Sequence, residues 1–384
     1  MIGLLQKRFT RKGIEEREKK EEVGKRVEWI DALKGVSILL VVFCHYVVLP
    51  ENTIVGNVVM ALAWAAVPCF MMVSGAVMHQ SEMFEWRKHF LKIGKTYVVL
   101  CIWRLIYLLI HIRIQSMHFG RAQLLSYLFF LTDLDGIDTG VMWYMNAYLV
   151  MLFLFPVTRF LFCEKFQGKH IGREILVYMA GISAVGGIII PSVNWGLERI
   201  CIFLRVEKIS INGIAALMPF VNHGNLLFYF LAGAFIFEYR EWVKEKFGRY
   251  KVILFPLICA GTMGLVLVKY IDSGLLIWGG VYLSEGYSHM MTSVISVGMF
   301  LLFMWHDWEW RHVNHFLATY IGRHTMGIYY MHYILLAVCS AFIYPMIRTH
   351  YSFAMNVIKT VIVTAFCVMI IMLLKKIPWV KNLF

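Results

Sequence analysis

Ten blocks of roughly 18–25 predominantly apolar residues run through this chain, each about as long as a helix needs to cross some 30 Å of hydrocarbon. They fall near 30–49, 54–78, 92–112, 143–162, 175–193, 214–237, 252–270, 288–305, 320–345 and 353–374. In lipid, every backbone polar group must be satisfied within a helix or a closed barrel. Barrel strands read as short alternating segments. These blocks are continuously apolar, so the expected fold is all-α: a polytopic membrane helical bundle with about ten transmembrane helices. The block Leu124–Thr132 is too short to span and reads as re-entrant or interfacial, and 275–287 fits neither class.

Charge placement orients the bundle. The formal net charge of +13 is not read as a nucleic-acid footprint, because lysine and arginine cluster between every second pair of apolar blocks. One set of loops holds Arg87 and Lys88; Lys165, Lys169 and Arg173; Arg240, Lys244, Lys246, Arg249 and Lys251; Arg311; and Lys375, Lys376 and Lys381. The alternate set holds fewer: Arg113, Arg121, Arg199, Arg205, Lys208, Lys269 and Arg348. Both termini are therefore expected on the cytoplasmic side of the inner (cytoplasmic) membrane. Residues 1–28 carry nine Lys/Arg and six Glu before any long apolar run, which reads as a charged cytoplasmic segment rather than a signal peptide. The expected division is 1–28 for that segment, 29–376 for the integral-membrane domain and 377–384 for a short cytoplasmic tail. The cysteines at 44, 69, 101, 163, 201, 259, 339 and 367 form no CxxC pair. They read as small hydrophobes, and no metal site is expected.

Ionisable residues inside membrane spans are costly and mark functional sites by default. The first block runs Arg26-Val-Glu-Trp-Ile-Asp31-Ala-Leu-Lys34 and on to His45. Asp31 and Lys34, three apart, share a face and can pair. Lys34 and His45 are eleven apart, which is about 20° beyond three full turns and a rise of about 16 Å. Both side chains thus point into one stripe. That arrangement suits a channel holding an anionic donor at one end and carrying its reactive end to a histidine. It equally fits a snorkelling lysine and a histidine bonded between helices. The second block ends Val67-Pro68-Cys69-Phe70-Met71-Met72-Val73-Ser74-Gly75, which permits a kink and close helix approach. The third opens with Lys92 and Lys95 one turn apart, either a phosphate grip or an ordinary positive flank. Asp133, Asp135 and Asp138 form an acidic loop, and His79 lies just past the second block.

A basic residue, ten residues and a histidine in the first span resembles the acyltransferase-3 family of membrane acyltransferases, including its sugar O-acetylase branch. Further stretches agree in order. Val67 to Gly75 is similar to the family's Pro–Phe-rich second span, and Lys92-x-x-Lys95 stands where the family has paired basic residues. Trp143-Tyr144-Met-Asn-Ala-Tyr148 resembles its Trp-aromatic motif. Phe228-Tyr-Phe-Leu-Ala-Gly233 is similar to its Phe–Phe–x–x–Gly span. Ile321-Gly322-Arg-His-Thr325-Met-Gly327-Ile-Tyr329-Tyr-Met-His332 resembles its Gly–Ser–Leu–x–Ile–Tyr–x–x–His stretch. The resemblance covers residues 27–375. Lys34 and the Lys92/Lys95 pair stand where many members carry arginine, which keeps the charge but loses the planar fork.

The resemblance implies acyl transfer from acetyl-CoA, a co-substrate rather than a bound cofactor, to a hydroxyl of a cell-envelope glycan or lipid-linked sugar. The lipid bilayer is the other partner expected. A sugar hydroxyl needs a base near neutral pH, and histidine suits that role. His45 is the candidate base. Lys34, Lys92 and Lys95 are candidates for holding the donor's phosphates. Asp31, Ser74, Trp143, Tyr148, Glu285 and His332 are supporting candidates: Ser74 and Tyr148 as oxyanion donors, Glu285 as a partner orienting His45. Direct transfer and a covalent acyl-enzyme both remain open. A transporter or flippase for a sugar, amino acid or lipid-linked glycan is the alternative, and a non-catalytic sensor or scaffold the third.

Overall fold

A computed structural model describes residues 26–45, 54–80, 84–115, 119–134, 142–164, 170–215, 217–219, 224–275, 286–307, 309–342, 353–378 and 380. Among these residues all regular structure is helical. The chain runs α1 (Glu28–His45), α2 (Ile54–Trp64), α3 (Ala66–His79), α4 (Trp86–Gln115), α5 (Arg121–Phe129) and α6 (Trp143–Cys163). It continues with α7 (Ile171–Ala184), a π turn at Val185–Ile189, α8 (Ile190–Leu204), α9 (Asn212–Ala215), α10 (Gly224–Glu238) and α11 (Arg240–Phe247). The last helices are α12 (Lys251–Leu275), α13 (Met290–Trp305), α14 (Arg311–Tyr320), α15 (Thr325–Phe342) and α16 (Phe353–Leu374).

Six segments are long and apolar enough to cross a membrane by length and composition: Val55–His79, Trp86–Arg113, Trp143–Cys163, Ile171–Leu204, Arg240–Val268 and Phe353–Leu374. Gly224–Glu238 and Met290–Trp305 are apolar but shorter. Helix is present at each of the ten expected blocks, with two late starts. The block expected at 214–237 becomes the helix Gly224–Glu238, and the one at 320–345 becomes Thr325–Phe342. The outward faces are apolar; Phe203 on α8 is 84% exposed. Such a face is at rest only in lipid.

Lipid is as apolar as leucine, so close packing and buried polar contacts hold such helices together. α1 is the hub. Eleven of its 18 residues are buried, and it packs against α3, α13, α14, α15 and α16. Trp29 near its start stacks on Phe237 of α10 and meets Phe300 of α13 edge-on at 5.2 Å. The closest crossing is α3 on α10. A Cβ at Gly75 would collide with the Phe230 backbone, and one at Gly233 with the Met72 backbone. The two glycines thus let the backbones touch. The block Leu124–Thr132 falls in and just after α5 and is clamped to α4: buried Arg104 donates to the carbonyls of Tyr127 (2.8 Å) and Thr132 (2.7 Å) and meets Asp133 at 3.4 Å. Asp135, Asp138 and the stretch 276–285 lie outside the described residues.

Candidate functional site

The site is built on the first turns of α1. Asp31 is buried and ion-pairs with both Lys34, three residues on, and Arg26, just before the helix. A lone buried carboxylate is costly, and two cations flanking it offset that cost. The turn Gly322–His324 comes directly against this point: a Cβ on Gly322 would collide with the Asp31 backbone. The glycine therefore sets the distance between α1 and the start of α15. Thr325 fastens the turn by donating to the Gly322 carbonyl at 2.7 Å.

These elements, with α3, α4 and α6, enclose a cavity of about 290 Å³. Four cations line it: Arg26, Lys34, Lys92 and Arg323. Asp31 answers the first two. Lys92 and Arg323 have no ion-pair partner among the described residues; Lys92 sits 5.8 Å from the centre of the Tyr148 ring. Beyond the mouth, His324 Nδ1 lies 3.2 Å from Lys375 Nζ. Burial, then Lys375, Arg323 and Arg26, hold the His324 pKa below its ordinary value. Burial and Arg26 likewise lower that of Lys375. The excess of positive charge gives this end of the molecule a potential that favours anions.

The opposite wall is phenolic and apolar: Tyr144, Tyr148 and Tyr329, with Phe70, Val73 and Met326. Tyr329 links this wall to the rest of α15. One turn along α15 from it is His332, fully buried, with ring centroids 6.3 Å apart. The His332 ring lies 5.3 Å from that of His45 at the far end of α1, and Tyr333 meets His45 edge-on at 5.8 Å. His332 Nδ1 is 3.0 Å from the Ile328 carbonyl, which accepts only, so that nitrogen carries the proton. His332 Nε2 is left as a buried acceptor with no hydrogen-bond partner among the described residues.

The structure thus gathers Lys34, Lys92, Ser74 and Tyr148 around one cavity, with Asp31 beneath them, and joins His45 to His332 at the other end of the same stripe. Lys95 does not line the cavity and is exposed on α4. Trp143 also stays outside it, packing on Tyr287 at 5.1 Å. The Ser74 hydroxyl donates to the Phe70 carbonyl at 2.8 Å, so its proton is already committed. Glu285 lies outside the described residues. His79 sits in a cage of Phe155, Phe162 and Phe230. Among the described residues no cluster of His, Cys, Asp or Glu has a metal-binding arrangement. Among the charged and phenolic lining residues, four were not singled out from the sequence: Arg26, Arg323, Tyr144 and Tyr329. Arg323 carried a usable signal, a charge at the edge of an apolar block beside a glycine.

A family model described as an acyltransferase domain, that of the acyltransferase-3 family, matches residues 27–376. No curated protein and no solved structure matches the chain.

Proposed function

Because this chain belongs to the acyltransferase-3 family and is a multi-pass membrane acyltransferase, we propose that it moves an acetyl group from acetyl-CoA to a hydroxyl of a cell-envelope glycan or lipid-linked sugar. The observation that carries this reading is the continuity of the site. The cavity with four cations is walled by Tyr329, whose ring packs 6.3 Å from that of His332, and His332 in turn packs on His45. An anionic donor and a proton acceptor are the two things this transfer needs.

In this reading the helices at all ten blocks cross the inner membrane, with both termini and the cation-rich end in the cytoplasm. Arg26, Lys34, Lys92 and Arg323 take the donor's phosphates. Lys95 draws the donor toward the mouth from outside the cavity. The thioester lies toward Tyr329. His45 takes the proton of the acceptor hydroxyl as its oxygen attacks the thioester carbonyl. The C–O bond forms, the tetrahedral oxyanion collapses, the C–S bond breaks and coenzyme A leaves as thiolate. The phenol of Tyr148 is the donor at hand for the oxyanion. His332, with Nε2 free to accept, is the neutral neighbour that lets His45 hold a proton without a second positive charge beside it.

The test is transfer of label from radiolabelled acetyl-CoA to extracted glycans, in membranes holding wild type or His45→Ala at matched expression. Label that moves only with wild type supports the reading. A glycan or solute that crosses the membrane only when the protein is present, with no label transferred, supports a transporter or flippase instead. Reporter fusions placing either terminus outside would overturn the orientation.

A further inference from the structure

A second cavity, of about 320 Å³, adjoins the first and shares Val77, Met78 and Lys92 with it. Its polar lining comes from two helices and the turn before one of them. Lys88, His89 and Lys92 stand on the first two turns of α4, where the helix dipole favours an anion. Arg159 comes from α6; it is more than nine-tenths buried and anchored by donating to the His79 carbonyl. His89 is also buried, its ring between Phe84 (5.2 Å) and Phe155 (5.7 Å). One carboxylate lines the cavity, Glu85, and it holds Lys88 at 2.7 Å.

We propose that this second cavity receives a phosphomonoester, the 3′-phosphate of the coenzyme A donor, while the first holds the diphosphate and the pantetheine arm. The inference rests on the donor named above. The first cavity alone is at the small end for a ligand of this size, since drug-sized pockets run from about 300 to 1,000 Å³. A coenzyme A thioester carries two separated anionic groups, and the structure offers two basic cavities that meet at Lys92. A monoester dianion rewards several converging donors, and a buried arginine matches its geometry better than a lysine. Lys88 is the movable member: its ammonium is exposed, and it leaves Glu85 for the phosphate.

The experiment measures binding of coenzyme A and of 3′-dephospho-coenzyme A to the full chain in neutral, lipid-free detergent by calorimetry. Wild type is expected to bind coenzyme A roughly tenfold more tightly, about the factor one charge-assisted hydrogen bond supplies. Lys88→Gln and His89→Gln should each erase most of that preference while leaving dephospho-coenzyme A binding unchanged. Glu85→Gln should strengthen coenzyme A binding about threefold, by freeing Lys88. Equal wild-type affinities for the two compounds overturn the proposal and leave the donor reading standing, as does a loss that falls equally on both. A preference for coenzyme A that is abolished when phosphatidic acid is added back to the detergent assigns the cavity to a lipid phosphate and also overturns it. Failure of wild type to bind either compound removes the donor reading, and this proposal with it.

Discussion

The two ends of α1 treat polar groups in opposite ways. At Lys34, charge is neutralised by charge: a buried carboxylate holds two cations, and further cations gather round. At His45, the recorded neighbours are rings, a histidine and a tyrosine. The difference separates two tasks that one helix face must serve. In the proposed mechanism phosphates are held by ammonium and guanidinium groups. In the same mechanism a proton is taken at the other end by an imidazole, a group that can gain and lose charge. Substitutions at the two ends should therefore fail in different ways.

The largest effect is expected at the histidine end. His45→Ala should lower turnover by about 10²–10⁴, the range for a lost general base, with coenzyme A affinity unchanged. Steady-state transfer and calorimetry on the same preparation separate the two. If affinity falls together with turnover, the two ends are not separate sites.

Next comes the cation-rich end. Lys34→Ala and Arg323→Ala should each weaken donor binding by roughly tenfold, the size of one charge-assisted contact. Turnover at saturating donor should change far less. A drop in turnover that excess donor does not rescue would place these residues at the reacting atoms instead. Gly322→Ala sharpens the same comparison without touching a charge. Its methyl must push the turn away from the Asp31 backbone and carry Arg323 off with it. The expected result is a loss of donor affinity smaller than that of Arg323→Ala, with overpacking of about 1–3 kcal/mol in stability. A shift in stability alone would mean that the turn's position does not set the cavity.

The stripe from Lys34 to His45 was legible because helical geometry is arithmetic, and α1 is one continuous helix over that length. The close approach at Gly75 was legible from residue size, although its partner, the Phe230 backbone, was not. Three things stayed hidden. Arg323 was folded into a block beginning at 320, because a three-residue turn ahead of α15 has no periodicity to read. Ser74 looked like a donor, but inside a helix its hydroxyl bonds back to the carbonyl four residues earlier. Lys95 shares a face with Lys92 only within about 60°, and at the rim of a cavity that angle puts one lysine in and the other out. Spacing along one helix is a local property. Which of two neighbours meets a cavity depends on where the other helices stand.

The smallest effect concerns pH, and it separates the two ends by a different route. His324 sits beyond the cation-rich mouth with its Nδ1 near Lys375 Nζ. Burial and the surrounding cations lower its pKa below the ordinary 6.5. Below about pH 6.5 the unfolded chain takes up a proton there that the folded chain refuses. Stability therefore falls as pH drops through the window between 6.5 and the lower folded value, and above that window the residue contributes nothing. His324→Gln removes the titration, so its apparent unfolding midpoint in detergent should fall less steeply than that of wild type between about pH 6.5 and 5. Transfer activity should keep the same pH dependence in both proteins, because His324 takes no part in the proposed proton transfer. Parallel midpoints for the two proteins would show that the cation cluster does not hold His324 neutral. A variant whose transfer activity lost its pH dependence would place the proton acceptor at the mouth of the cavity instead of at His45.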